Sequence, residues 1–364
     1  MNERIEKSFN VGIVGENQDI LKLIGQSFGA PGTRSDLQFY NRLDEGIGYT
    51  FCAITPLDYP NKIKPLLQTL EMTDIYILVI DLNIGLNSAI GELLIAIEVF
   101  NRLYNKGVII TLSNIQNNEW KVDSISNKLD KILKTTSLVQ INIINLRDKA
   151  DYQILKEKVV ELGLELIEHQ KLEENNTYTK ILIDHIFPVK GIGTVALSIV
   201  KRGTLKKGQL LELVGFNGAS KKVLIKNIQK HDRDFNIAYE NDRVGLALKG
   251  VKHTDVSRYN LIATQNIFRS ESVINADLFL SELYIPKKGK ISSDTEKEFH
   301  LIVNLGISPV KFLETEEISP GKSGKVKVSL KKPLFHDGSG ISGILIDMNK
   351  FEGKNRIVGT LTQI

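Results

Sequence analysis

Cysteine, tryptophan and histidine are scarce in this chain of 364 residues, at one, one and six respectively. A lone cysteine, Cys52, forms no internal disulfide, which excludes a disulfide-stapled scaffold and is compatible with a reducing, cytoplasmic home. Its expected place is a small core position. The six histidines show no metal-ligand spacing with that cysteine, so no metal site is expected. Long apolar runs are missing as well. Residues 75–80 form the longest, and it is far too short to cross a bilayer. Glu3, Arg4, Glu6 and Lys7 stand where a signal peptide would need an apolar core. No membrane partner is expected.

What is present is ordinary for a globular protein: 42% hydrophobic and 25% charged residues, with room for two or three cores. The net charge of +4 hides an uneven distribution. Residues 178–262 hold 15 lysines and arginines against 7 acids, whereas the rest of the chain holds 32 against 36. A basic middle suggests an anionic partner, nucleic acid above all, although a solvated basic surface reads the same way.

Along the first 170 or so residues, short Val/Ile-rich runs (11–14, 75–80, 108–112, 139–144) alternate with amphipathic helical stretches (20–28, 63–72, 89–104, 125–133, 152–169). Such alternation predicts crossover units on a mainly parallel sheet. Residues 37–54 read as a β-hairpin turning near 45–48. A polar linker follows at 172–177, after which helical periodicity disappears. β-rich runs then recur at 180–187, 193–200, 209–214, 222–228 and 243–248, and again at 276–283, 298–305, 324–330, 341–346 and 356–363. The fold class expected is α/β followed by two β-barrels, with domains at 1–172, 178–265 and 270–364.

Within the middle block stand Gly191-Ile192-Gly193-Thr194-Val195, then Val200-Lys201-Arg202-Gly203-Thr204-Leu205-Lys206-Lys207-Gly208. Val214-Gly215-Phe216-Asn217-Gly218 and Asp242-Arg243-Val244-Gly245-Leu246-Ala247-Leu248-Lys249-Gly250-Val251 follow in order. Together they resemble the second domain of the EF-Tu family of translational GTPases, with glycines where tight turns and close backbone approach need them. Pro320-Gly321, Lys331-Lys332-Pro333 and Arg356-Ile357-Val358-Gly359 resemble, more loosely, its third domain. Asp184-His185-Ile186-Phe187-Pro188-Val189-Lys190-Gly191 is similar to the entry into domain two of archaeal-type selenocysteine-specific elongation factors. Arg243 falls where those factors carry arginine and EF-Tu-type factors carry asparagine. A cation there suits an anionic selenol. The resemblance implies an aminoacyl pocket with Asp184 and Arg243, the alternative being a structural ion pair. It also implies RNA contacts by Lys190, Lys201, Arg202, Lys206 and Lys207.

The same resemblance requires a GTPase in the first domain, and there the motifs fail. After Gly15 the family needs a glycine-rich loop ending Gly-Lys-Ser/Thr, whose amides cradle phosphate, whose lysine neutralises it and whose hydroxyl holds magnesium. This chain places Ile20, Leu21 and Lys22 at those three positions, and adds Glu16 and Asp19. The Asp-x-x-Gly-His motif falls on Thr55-Pro56-Leu57-Asp58-Tyr59. The first switch threonine falls near Gly48. Asn-Lys-x-Asp becomes Asn114-Ile115-Gln116-Asn117, and Ser-Ala becomes Asn145-Leu146. Phosphoryl transfer depends on positioning and electrostatics, so these losses predict a pseudo-GTPase with neither GTP nor magnesium as cofactor and no catalytic residues.

Smaller features have bland expectations. Residues 230–234, with His231, read as a turn, 336–340 as a hairpin loop, Trp120 as a partly buried packing residue, and 152–174 as a solvated helix closing the first domain. The sequence ends directly after the third domain-like block, so the further domain of selenocysteine-specific factors is not expected here. The function expected is a non-hydrolysing translation-factor relative that binds tRNA or the ribosome. Its alternatives are a protein-interaction scaffold in translation or RNA processing, and a divergent active GTPase of elongation.

Overall fold

The computed structural model describes residues 7–44, 48–138, 141–173, 178–216, 219–286, 289–292, 298–348 and 353–364. The chain divides into two compact units, Met1–Glu173 with Met348–Ile357, and Glu174–Asp347 with Val358–Ile364.

The first unit is a layered α/β structure. Its strands are β1 (Lys7–Gly15), β2 (Ala30–Arg34), β3 (Leu37–Asp44), β4 (Tyr49–Pro56), β5 (Ile75–Asp81), β6 (Gly107–Ser113) and β7 (Asn142–Asn145). Its helices are α1 (Gln18–Phe28), α2 (Ile63–Met72), α3 (Ser88–Tyr104), α4 (Glu119–Leu133) and α5 (Lys149–Glu173). The sheet order is β2-β3-β4-β1-β5-β6-β7, parallel from β4 through β7 and antiparallel in the β2-β3-β4 arm. Every residue of β5 is buried, the continuous apolar run that a strand covered on both faces requires. The expected hairpin is β3–β4, in register from Leu37↔Pro56 to Asp44↔Tyr49, and part of its turn lies outside the described residues. Of the strand expected at 139–144, residues 139–140 also lie outside them.

α1 and α3 start at asparagine caps, Asn17 and Asn87, whose side-chain oxygens accept the first free helix amides. Gly25 lets α1 approach β3 closely, because a Cβ there would lie 2.3 Å from the Tyr40 ring. Cys52 is buried and in no disulfide, in the core position expected. α5 buries Leu155 and Val159 against β1 and its neighbours while its outer face is exposed.

The second unit holds two six-stranded barrels. One is formed by β8 (Lys180–Val189), β9 (Gly193–Arg202), β11 (Leu210–Phe216), β12 (Ala219–Lys230), β15 (Arg243–Lys249) and β16 (Leu261–Ala263). These close in the order β11-β16-β8-β9-β15-β12, with β12 pairing back to β11. The short strands β10 (Leu205–Lys206), β13 (Arg233–Phe235) and β14 (Ile237–Ala238) decorate it. Gly203, at φ 72, lies against the Tyr178 carbonyl where a Cβ would stand at 2.5 Å, so this glycine has a steric reason. The other barrel closes as β17-β20-β19-β18-β21-β22. Its strands are β17 (Arg269–Leu280), β18 (Phe299–Val303), β19 (Gly306–Thr315), β20 (Ser323–His336), β21 (Ser342–Ile346) and β22 (Ile357–Gln363).

Two features of this barrel depart from the sequence pattern. β19 is not foreseen by it, because an outer face of Lys311, Leu313 and Glu314 breaks the apolar periodicity. Residues 336–340 are not a hairpin loop. β20 pairs with β17 and β19 whereas β21 pairs with β18, so the loop crosses between non-neighbouring strands. The His336 ring organises it, Nδ1 accepting from the Gly338 and Gly340 amides at 3.2 and 3.0 Å.

Candidate functional site

In an open α/β sheet, ligands sit beyond the carboxyl ends of the strands where connections diverge to opposite sides. Here that place lies beyond β1 and β5, and the degenerate nucleotide motifs converge on it. β1 passes into α1 through Glu16 and Asn17 alone. Residues 18–22, which would have to wrap around phosphate, are already helix. Leu21, at the lysine position, is 1% exposed and packs in the core with Ile13, Ile24 and Phe28. Ile20 is buried as well, while Lys22 points to solvent. Gly15 survives for a packing reason: a Cβ would lie 2.7 Å from the Val79 carbonyl of β5.

The remaining positions are equally committed. Thr55 is buried at the end of β4. Asp58 has φ 61 and forms an exposed ion pair with Lys62 at 2.8 Å, an interaction of small worth. Tyr59 is buried, its hydroxyl 2.8 Å from the Ala89 carbonyl and 3.2 Å from Glu92 Oε2. Burial, and then the Glu92 charge, push that hydroxyl well above the usual tyrosine range. Glu92 accepts from Arg356 through both oxygens, at 3.0 Å from Nε and 2.6 Å from Nη2, and Arg356 also donates to the Pro60 carbonyl. A side chain so held cannot swing to orient a water. Asn117 is exposed. Asn114, at φ 56, donates to Asp81 Oδ1 at 2.8 Å.

Asp81, at the last position of β5, is a residue that the motif comparison passes over. It is 5% exposed and accepts from Asn17 Nδ2 at 2.7 Å, the Asn83 amide at 2.8 Å and Asn114 Nδ2. Its signal in the sequence is Asn17, a helix-capping residue placed where a phosphate loop belongs. The residues present therefore do not fit a nucleotide triphosphate with magnesium. The cradle is helix, the lysine position faces the core, and a carboxylate stands between the loops. Among the described residues no group of three His, Cys, Asp or Glu is arranged to hold a metal.

In the first barrel, Asp184 and Arg243 do meet. Arg243 Nη2 lies 2.7 Å from Asp184 Oδ2, with side-chain exposures of 10% and 0%. Arg258 Nε donates to the Asp184 main-chain carbonyl at 3.1 Å. Asp184 Oδ1 is buried and has no hydrogen-bond partner among the described residues. The five basic candidates are not brought together. Lys190 follows β8 at one end of the hairpin that β8 forms with the ten-residue β9, and Lys201 and Arg202 lie at the other, roughly 30 Å away at strand rise. Arg202 is committed inside its unit, stacked 4.6 Å over the Tyr178 ring and 3.7 Å from Asp337. Lys206 and Lys207 are exposed. His231 and Asp232 form the expected turn with positive φ. Trp120 is not a packing residue: it is 79% exposed in the first turn of α4, with Lys121 Nζ 5.3 Å from its ring.

A layered α/β unit with a pair of six-stranded barrels is the architecture of the EF-Tu-type translation factors, and the chain is a relative of them. Residues 193–258 match the model of elongation factor Tu domain 2. SelB from Methanococcus maripaludis, solved with the GTP analogue GppNHp, superposes at a TM-score of 0.78 with 20% identity, covering all of this chain and 80% of that one. A bacterial selenocysteine-specific elongation factor superposes at 0.77 with 18% identity, covering 98% of this chain and 58% of that one. At such identities these likenesses concern the fold. The chain is also 27% identical to the selenocysteine-specific elongation factor of Methanocaldococcus jannaschii over 263 residues, 71% of its own length and 53% of the relative's. An uncharacterized protein of the same organism is 27% identical over 336 residues, 91% of this chain and 92% of that one. The protein is elongation-factor-like and SelB-related. No helix among its described residues is long and apolar enough to cross a membrane.

Proposed function

We propose that this chain is a pseudo-GTPase of the elongation-factor type, which engages tRNA or the ribosome through its barrels without binding or hydrolysing GTP. The observation that carries the reading is the two-residue passage from β1 to α1. With no loop there are no converging amides, and with Leu21 in the core there is no lysine to offset triphosphate charge. Isothermal calorimetry should detect no GTP binding in the micromolar range with magnesium. Tight magnesium-dependent binding would overturn the reading and favour a divergent GTPase.

The RNA half of the proposal rests on the basic surplus of residues 178–262 and the exposed Lys206 and Lys207. In the Asp184–Arg243 pair, the unpartnered buried Oδ1 leaves an acceptor that an aminoacyl ligand could fill. Filter binding of charged and uncharged tRNA at rising salt should show affinity that falls steeply with ionic strength. Replacing Lys201, Lys206 and Lys207 by alanine should flatten that salt slope by about one for each phosphate no longer neutralised. Absence of affinity even at low salt would overturn it.

A second reading has its own observation. The exposed Trp120 is the kind of residue that anchors protein interfaces. A partner captured independently of RNA, and lost on Trp120→Ala, would favour an interaction scaffold.

A further inference from the structure

We infer that Asp81 is a built-in anion, tying together the loops that a GTPase ties together with its nucleotide. The inference rests on the reading that this cleft takes no GTP. Three loops start here: at Glu16 after β1, at Leu82 after β5, and at Asn114 after β6. One carboxylate joins them, accepting from Asn17 Nδ2 on Oδ2 and from the Asn83 amide and Asn114 Nδ2 on Oδ1. Asn17 relays the charge to the helix. Its Oδ1 accepts from the Asp19 and Ile20 amides at 3.1 and 3.3 Å while its Nδ2 donates to Asp81. The negative group thus sits two hydrogen bonds, in series through Asn17, from the first amides of α1, the end where an anion is favoured. The network extends outward: Asn118 Nδ2 donates to Asn83 Oδ1 at 2.8 Å and to the Asn114 carbonyl at 3.0 Å, fixing the start of α4.

Two properties separate this arrangement from ordinary packing. The three groups that converge on the Asp81 side chain are all amide N–H donors, so a neutral amide of the same shape cannot replace the carboxylate. One of its two positions would present N–H to N–H. Those donors are also uncharged, so hydrogen bonds to the ionised form are what hold this buried charge. The first unit is therefore held in one ligand-independent arrangement, and a partner docking on these loops meets a constant surface.

The full chain provides the test, with melting temperature and amide hydrogen exchange as readouts. Asp81→Ala should lower the melting temperature by roughly 10 °C, and Asp81→Asn by nearly as much. Exchange should accelerate at residues 17–21, 83–85 and 114–118. Added formate should restore part of the loss in Asp81→Ala, by supplying the missing carboxylate, and none in Asp81→Asn. Should Asp81→Ala fail to fold, Asn17→Ala removes only one link and should raise exchange at 17–21. An Asp81→Asn chain as stable as the parent, or an Asp81→Ala chain that formate cannot restore, would overturn the built-in-anion role. The pseudo-GTPase reading fails separately, if GTP with magnesium raises the melting temperature of the parent chain.

Discussion

The first barrel and the α/β unit have kept different things. In the barrel, Gly203 and its neighbours retain the family's turns because backbone geometry demands them. In the α/β unit the strands and their order remain, but of the side chains at nucleotide-motif positions Ile20, Leu21, Thr55 and Tyr59 are buried and Asp58 is held in an ion pair, while Lys22 and Asn117 face solvent. A fold needs buried volume and paired backbone, whereas phosphate chemistry needs a few exposed groups at set positions. Where that chemistry is not required, the exposed groups can be rebuilt as structure while the fold stays the same.

The largest test of this contrast is to restore the family signature. Ile20→Gly with Leu21→Lys and Lys22→Ser rewrites the motif but places an ammonium in the core, and should cost about 5 kcal/mol or more without creating GTP affinity. Chemical denaturation and calorimetry read both outcomes. GTP binding by this variant would show that the cleft is latent and not rebuilt.

Next in size, Arg356→Ala leaves the Glu92 carboxylate buried and unpaired beside Tyr59, and should cost about 4 kcal/mol in the first unit. The double change Glu92→Gln with Arg356→Met should recover much of it. Failure to recover would mean that Arg356 acts through the Pro60 carbonyl.

In the barrel, Arg243→Ala strands Asp184 and should cost about 3 kcal/mol. Arg243→Lys sharpens the comparison, since a lysine keeps the charge but not the planar donor set. If the pair is only structural, the two variants should rank by stability alone. If it is a pocket, tRNA affinity should fall for charged but not for uncharged tRNA.

The smallest effect concerns pH. Asp337 is partly buried, which opposes ionisation, but hydrogen bonds from Ser339 and Tyr178 and the nearby Lys180 outweigh that and hold its carboxyl at about 2 against an ordinary 3.8. Because the folded state binds this proton less readily than the unfolded chain, its contribution is complete above about pH 4. It disappears as pH falls towards 2. Thermal melts should show this as about 1 kcal/mol or less after allowance for solvent screening. Asp337→Asn should remove that part of the acid sensitivity.

Much of the fold was legible because buried strands announce themselves. Residues 75–80 fall in β5 and 63–72 form α2, since apolar period and length leave few alternatives. β16, three residues long, and β19, with its solvated face, were too short or too polar to register. Of the site, Ile20, Leu21 and Thr55 could be seen as wrong residues for GTP, but not where their side chains had gone. Trp120 shows the converse: burial is a property of surroundings, which local sequence does not contain.

By itself the sequence determined the order of elements, the two-barrel succession, the kept turns and the lack of a Gly-Lys-Ser/Thr signature at residues 15–22, for these depend on local pattern and residue type. Tertiary structure alone decided that Asp81 joins three loops, that Tyr59 is held between Glu92 and the Ala89 carbonyl, and that Lys190 lies at the opposite end of a hairpin from Lys201 and Arg202. Each of those depends on residues distant in the chain meeting in space, and no periodicity records which partner a polar side chain will find.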